Sequence, residues 1–310
     1  MFYNVENLFD IFDDSTKNDN EFLPTGKKYW GVNKYNAKLE NISKVIAAVG
    51  EWQMPVVIGM CEIENRKVLN DLFTQTMLSK YQYRFVHYDS PDPRGIDVAM
   101  AYLPDKFKVL HSHPIRVHYT KQNGQSTRDI LYCKGILLKK DTLHILINHW
   151  PSRRGGKDAE IKRNFVARLV RKCTDSIFQT DPDAKIIIMG DLNDEPSDRS
   201  LVESLGARQL LGQIVPGNLY NLASTFYSEN KYGSIKYQGH WTIFDQIIVS
   251  GKLITGGETG LADYHICNSP FIVKQDKSHT GFTPLRTYNG MKYEGGYSDH
   301  LPVYLDYYLH

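Results

Sequence analysis

Apolar residues in this chain fall in short runs that stop on polar ones. Val56 to Cys61 stops on Glu62, Leu143 to Ile147 on Asn148-His149, and Ile186 to Gly190 on Asp191. Runs of this length bounded by turn residues predict buried strands. Strands are predicted over Phe2–Leu8, Pro55–Cys61, Leu143–Ile147, Lys185–Met189, Thr242–Val249 and Pro302–Tyr308, with a weaker one at Phe271–Val273. Tyr83–Val86, Asp97–Tyr102, Phe107–Val117 and Leu131–Leu138 read as an antiparallel meander, with Pro91-Asp92-Pro93 and Pro104-Asp105 at its turns. Helical spacing appears in three places. Leu39, Ile42, Val45, Ile46 and Val49 mark a helix over Asn33–Gly50, with Gly50 at its C-terminal end. Arg66–Lys80 is a second candidate. Lys157–Gln179 is a third, with Ile161, Phe165, Leu169, Val170, Cys173 and Ile177 inward and Lys157, Arg163, Arg168, Arg171 and Lys172 on a solvated face. A short helix is expected from Leu201 to Leu205, and the segment Asp13–Asn20 is a charged, turn-rich loop.

The stretches VVIGMCEIEN and IIIMGDLNDE echo each other. Each is an apolar strand that ends on acids and precedes a helix. That suggests two similar halves, each a sheet covered by helices. Packed sheet to sheet they would form a four-layer α/β/β/α sandwich. No low-complexity linker divides the chain, so residues 1–310 are expected to form one domain.

Composition narrows the picture. Lys and Arg number 37 against 35 Asp and Glu, a net charge of +2, so any contact with a polyanion is local rather than a blanket of basic surface. The four cysteines, Cys61, Cys133, Cys173 and Cys267, are far apart and contain no CxxC pair, which disfavours zinc and a disulfide framework. No apolar run is long enough to span a bilayer. Met1-Phe2-Tyr3 reads as the middle of a strand, which points to a leader upstream and leaves the compartment open, secreted or periplasmic locations included.

The polar residues at strand ends carry the chemistry. They are Asn4, Glu62, His149, Asp191 with Asn193, Asp245, and Asp299 with His300. Singly, each has a plain alternative: Asp and Asn favour turns, and Glu62 could be a first-turn acid of the following helix. Collectively they are carboxylates, carboxamides and histidines, with no G-x-S-x-G elbow, no P-loop and no G-x-G-x-x-G. Hard oxygen donors in small number suit Mg²⁺ or Mn²⁺, with a substrate phosphate completing the shell. A His beside an acid suits proton transfer. His111, His113 and His118 offer a second metal possibility, against the commoner reading of exposed strand histidines.

Asn4 in YNVENLFD, Glu62 in GMCEIEN, His149 in INHWPSR, GDLND at 190–194, Asp245 in FDQIIVS and SDHLPV at 298–303 occur in the order found in one family. The chain resembles the endonuclease/exonuclease/phosphatase superfamily, which includes DNase I, over nearly its whole length. NVENLFD and RGIDVAMAY look most like extracellular nucleases of that group. The resemblance implies the DNase I-like four-layer sandwich, two mainly antiparallel sheets face to face. It implies metal ligation by Glu62, Asn4 and Asp299, with one or two Mg²⁺ or Mn²⁺ ions and Ca²⁺ as a further option. Asp191 would prepare the attacking water, Asn193 donate to the phosphate, and His300 act with Asp245 behind it. His149 would donate to a phosphate oxygen, with Asp97 as its carboxylate partner. Arg94, Arg128, Arg153 and Trp241 are candidates for substrate contact, the arginines through phosphates and Trp241 by stacking. Tyr237 shares the stacking possibility, and for both aromatics plain packing is an equal alternative. Gln246 departs from the family, which often has His there. The implied activity is phosphodiester hydrolysis, with a nuclease foremost, acting on nucleic acid and needing no obligate protein partner. The alternatives are a phosphatase or phospholipid-type phosphodiesterase acting on small phosphoesters, and an inactive binding domain of the same fold.

Overall fold

The computed structural model describes residues 1–119, 127–229, 232–255 and 259–309. Its strands form two large sheets. One has six strands in the order Thr259–Ile266, Val303–Leu309, Phe2–Leu8, Val57–Ile63, Asp97–Tyr102 and Arg84–His87. The other has seven, in the order Phe107–Ile115, Ile130–Leu137, Asp141–His149, Lys185–Asp191, Asp245–Ser250, Leu219–Asn221 and Ala207–Arg208. Most neighbours are antiparallel. Each sheet also holds a parallel pair that explains the internal echo. Phe2–Leu8 lies parallel to Val57–Ile63 and Asp141–His149 parallel to Lys185–Asp191. Parallel neighbours need a crossover, and helices Val32–Gly50 and Gly156–Thr180 supply one each.

The sheets bury their inner faces on each other. Phe2, Met60, Ile145, Ile147, Met189 and Ile247 belong to one continuous core. Gly59 marks the close approach: a Cβ there would lie 2.8 Å from Ile147 Cδ1 and from Met189 Sδ, both on the facing sheet. Gly59→Ala is therefore expected to destabilise the protein by about 1–3 kcal/mol through overpacking. Urea unfolding would measure it, and a change below a few tenths would contradict this packing. A second core lies under helix Gly156–Thr180, where Val166, Ala167 and Val170 meet Leu146, Ile186 and Ile188. On the other side, Leu39, Ile42 and Ile46 of helix Val32–Gly50 and Leu69 of helix Arg66–Thr74 join the first core. The layers are therefore helix, sheet, sheet, helix.

Several sequence expectations need correction. The four-strand meander is split between sheets, because the chain crosses over after Tyr102. The second helix ends at Thr74 and is followed by a separate turn of 3-10 helix at Met77–Tyr81. Ser200–Leu205 is a single π-type turn. Thr259–Ile266, an edge strand, was not foreseen. The inner face of the long helix is also rotated: Ile161 is 56% exposed, whereas Arg163 is 4% exposed.

Candidate active site

Strand register brings the polar residues together. His149 stands opposite Asp191, and Asp191 opposite Asp245, on three adjacent strands. Registered residues share a face, so these three side chains emerge side by side. Gly190 permits the tight approach, since a Cβ there would fall 2.4 Å from the Asn148 carbonyl oxygen of the next strand. The facing sheet contributes Asn4 and Glu62. Its two central strands lose regular register at this end, between Asn4 and Leu8 and between Cys61 and Ile63. Such irregularities re-aim side chains. Here they coincide with left-handed backbone at Glu6 (φ 52°), Asn7 (φ 56°) and Glu62 (φ 62°), and Asn193 (φ 51°) matches them on the other sheet. For non-glycine residues this conformation is strained, and it gathers at functional sites.

Asp191 is the hub. Its Oδ2 accepts from Asn4 Nδ2 at 3.1 Å, and His149 Nε2 and His300 Nε2 stand 3.6 and 3.8 Å away. Its Oδ1 accepts the Asn193 amide N–H at 3.0 Å. Burial pushes the Asp191 carboxyl up to about 7; Asp245 adds to this, while His300 opposes it. His300 Nδ1 meets Asp245 Oδ2 at 2.6 Å. Burial would discharge this ring, but Asp245 and then Asp191 outweigh burial and hold it protonated well above the usual histidine range. Asp245 is fixed from behind: Tyr264 donates to its carbonyl at 2.7 Å, and its N–H reaches Ser234 Oγ at 3.1 Å. Asp191, Asp245 and His300 have spacing that would also suit an ion. A ring kept protonated by two acids is a poor ligand, so proton handling is the better use of this trio.

His149 is buried and neutral. Burial, then Arg128 and Arg94, hold its pKa well below normal. Its Nε2 lies 4.0 Å from Glu62 Oε1, and its Nδ1 has no hydrogen-bond partner among the described residues. Asp97 is not that partner. Its Oδ2 pairs with His87 Nε2 at 3.1 Å and its Oδ1 with the Ser90 N–H at 2.9 Å, which leaves the carboxylate fully engaged on its own loop.

Glu62 holds one oxygen on the Asn7 N–H at 2.8 Å and turns the other to the cleft. Asp299 lies among groups that sequence reading missed. Arg286 Nη2 sits 2.5 Å from its Oδ2, and Glu6 accepts the Thr287 N–H at 2.7 Å beside it. Lys38, 1% exposed, donates to Thr287 Oγ1 and the Tyr297 carbonyl, both at 2.6 Å. Burial works against ionised Asp299, but His300 and Arg286 hold its pKa below normal. Burial and Asp299 raise Glu6 to about 7. Glu6 was legible only as a neighbour of Asn4, and nothing local marks Lys38 or Arg286.

A divalent cation fits this chemistry. Glu62 presents a carboxylate oxygen to the cleft, and burial pushes up the Asp191 and Glu6 carboxyls, a cost that a nearby cation relieves. One or two carboxylates plus substrate oxygens make a Mg²⁺ or Mn²⁺ site. Asp299 would have to share its carboxylate with Arg286, so Glu62 would be the principal donor. Asn4 binds Asp191 through Nδ2 and accepts the Glu6 N–H at 3.0 Å through Oδ1.

The arginines divide. Arg128 donates to the Trp150 carbonyl at 3.0 Å and pairs with Asp92 at 3.2 Å, and its buried Nε has no hydrogen-bond partner among the described residues. Arg153 donates to the Asn193 carbonyl at 3.1 Å and pairs with Asp194 and Asp198. Arg94 reaches Asn7 Oδ1 at 2.5 Å. Trp241 is half-buried against the core, whereas Tyr237 is 70% exposed. Gln246 is structural, tying Asn221 to the Asp194 carbonyl. His111 and His113 bond each other at 3.0 Å on an exposed strand. All four cysteines are free.

A sandwich of two mainly antiparallel sheets with paired His–Asp chemistry at one rim defines a DNase I-like phosphoesterase fold. Comparison with known proteins agrees. The model of the Endonuclease/Exonuclease/phosphatase family matches residues 1–308, and the chain belongs to that family. Solved structures of similar fold include zebrafish (D. rerio) TDP2 complexed with single strand DNA product, at 15% identity and a TM-score of 0.57 over 88% of this chain and 92% of that one. The human Nocturnin catalytic domain is similar at 17% identity and a TM-score of 0.55, over 90% and 88%. The mannosyl-6-phosphatase Bt3783 of Bacteroides thetaiotaomicron aligns at 14% identity and 0.57, over 99% and 98%. No curated protein sequence matches the chain.

Proposed function

We propose that this protein is a metal-dependent phosphodiesterase that cleaves nucleic acid strands by in-line attack of water on phosphorus. The observation that carries this reading is the convergence of Asn4, His149 and His300 on one oxygen of Asp191. A bound Mg²⁺ or Mn²⁺, held by Glu62 with Asp299 alongside, would neutralise charge on a phosphate oxygen or the leaving oxygen. Asp191 orients the water and takes its proton. Asn193 uses one amide hydrogen on the Trp150 carbonyl at 3.0 Å and keeps the second for a phosphate oxygen. His300, protonated against Asp245, stabilises the crowded anion, and neutral His149 donates to it. Arg94 lies at the rim, where a neighbouring phosphate would pass. The likeness to a TDP2 structure holding a DNA product supports a strand as substrate.

A second reading, a phosphatase of small phosphoesters, has its own support. Arg128 and Arg153 are already paired with acids, which leaves little basic surface for a long polyanion. Hydrolysis of single-stranded DNA, RNA, bis-p-nitrophenyl phosphate and sugar monophosphates, each with Mg²⁺, Mn²⁺ or EDTA, separates the two. Metal-dependent cleavage of strands supports the first reading. Turnover of monophosphates alone replaces it with the second.

His300 and Asp245 should act as a unit. His300→Ala and Asp245→Asn are each expected to lower kcat/KM by about a hundredfold or more, and the double variant by no more than the worse single one. Additive losses in such a cycle would show that Asp245 does not work through His300.

A further inference from the structure

We infer that the protein binds a fatty carboxylate of medium chain length in a slot between the two sheets, at the rim opposite Asp191, with Lys106 holding the carboxylate head. The slot is a cavity of about 280 Å³. Ile145 and Ile187 of the seven-stranded sheet and Val57 and Leu305 of the six-stranded one form its walls. Val57 and Ile187 lie towards the ends of their strands opposite to Glu62 and Asp191, so the slot is separate from the cleft. Met189 and Ile247 line its inner end. Met189 Sδ is one of the atoms that meet Gly59, so the slot opens beyond the close approach of the sheets at that glycine. Apolar walls that face a gap lose the contacts they would make in a filled core, and an apolar guest restores them. An engineered cavity of about 150 Å³ holds benzene, and at that packing 280 Å³ takes a chain of about ten carbons.

Two bridges between the sheets hold the slot open. Residues 103–106 cross from one sheet to the other: the Leu103 N–H bonds the Val56 carbonyl at 3.0 Å, and the Lys106 carbonyl accepts the Leu138 N–H at 2.7 Å. Tyr307 makes the second bridge, donating to Asp141 Oδ2 at 2.8 Å, while Lys185 Nζ pairs with Asp141 Oδ1 at 2.5 Å. The bridges leave from strands Asp97–Tyr102 and Val303–Leu309, which flank the two central strands of the six-stranded sheet. The groups at the mouth select the head of the guest. Lys106 lines the cavity half-buried, and its Nζ has no hydrogen bond or ion pair among the described residues. Lys139 and Lys140, both exposed, follow Leu138 in the adjoining turn. Asp306 also lines the cavity, but its side chain faces the other way. Tyr307 points at the opposite sheet, successive residues alternate along a strand, and Asp306 Oδ2 lies 3.9 Å from His265 Nε2 on the outer face. A half-buried ammonium at the end of an apolar slot fits a carboxylate on an alkyl chain. Trp52, next to the lining residues Gln53 and Met54, is 96% exposed, so apolar surface continues outside the mouth.

Decanoate binding should be measured by calorimetry on the whole chain. Decylammonium, with the same chain and the opposite charge, serves as the comparison, and light scattering follows the oligomeric state. The expected result is one saturable decanoate site on a monomer, with decylammonium bound about tenfold more weakly or worse. Lys106→Glu should weaken decanoate binding by about tenfold or more and remove the preference for it over decylammonium. Leu305→Trp places a larger side chain in the slot and should abolish binding of both. Lys106→Glu changes only the mouth, and it decides the matter if Leu305→Trp does not fold. Absence of saturable decanoate binding to the folded wild-type chain overturns the inference. So does binding that neither variant alters, equal binding of the two probes, or a dimer that buries Trp52 and excludes decanoate.

Discussion

Asp191→Asn is expected to lower the rate of phosphoester hydrolysis by about a hundred- to ten-thousand-fold, the usual scale for loss of a positioned base. The substitution keeps the shape and one acceptor. The Asn193 N–H can still find an oxygen at the Oδ1 position. What changes is the other atom. Oδ2 now faces Asn4 Nδ2, His149 Nε2 and His300 Nε2, all nitrogens within 3.8 Å. An amide nitrogen there meets donors with a donor, takes no proton from water, and removes one of the two acids that keep His300 charged. The loss should fall on kcat with the far-ultraviolet circular dichroism unchanged. A variant retaining more than a tenth of the wild-type kcat would show that Asp191 does not prepare the water.

Asp194→Ala is expected to destabilise the protein by about 3–5 kcal/mol, the scale for breaking a buried ion pair from one side. Asp194 is 3% exposed; its Oδ2 lies 2.8 Å from Arg163 Nε and accepts from Ser200 Oγ at 2.7 Å. Without it, Arg163 stays buried with only the Pro151 carbonyl, at 3.3 Å, to satisfy it among the described residues. The double variant Asp194→Ala/Arg163→Met, which removes both charges, should recover much of the loss. Guanidinium unfolding of the three proteins checks this. A cost below about 1 kcal/mol for Asp194→Ala alone would mean that water, not Asp194, solvates Arg163.

That pair also shows where sequence reading stops. Arg163 looked solvated because helical periodicity distinguishes apolar from polar, and a buried ion pair on the inner face has the pattern of an outer face. For Trp241, stacking and packing were both open from its place beside Asp245, and its ring packs half-buried against the core. Asp97 was assigned to His149 by the order of strands. The chain brought it instead to His87, ten residues away, within its own hairpin. Local geometry of this kind depends on how a loop folds back, which no period encodes. By contrast, the meeting of Asn4, His149, Asp191, Asp245 and His300 was legible. Buried strands that end on polar residues leave those residues at one rim of a sandwich, and strand register then sets them side by side. The two-sheet architecture was legible for a related reason. A repeated strand–helix unit needs a crossover, and each sheet contains one parallel pair bridged in that way. Thr259–Ile266 was missed because an edge strand needs no apolar run.

The most direct test of the account is hydrolysis of a single-stranded oligonucleotide in ¹⁸O-water with Mg²⁺, with the products read by mass spectrometry. Attack of an Asp191-oriented water on phosphorus predicts one ¹⁸O in the phosphate product, none in the released hydroxyl, and no reaction in EDTA. Label in the hydroxyl, or cleavage that is indifferent to EDTA, would contradict it.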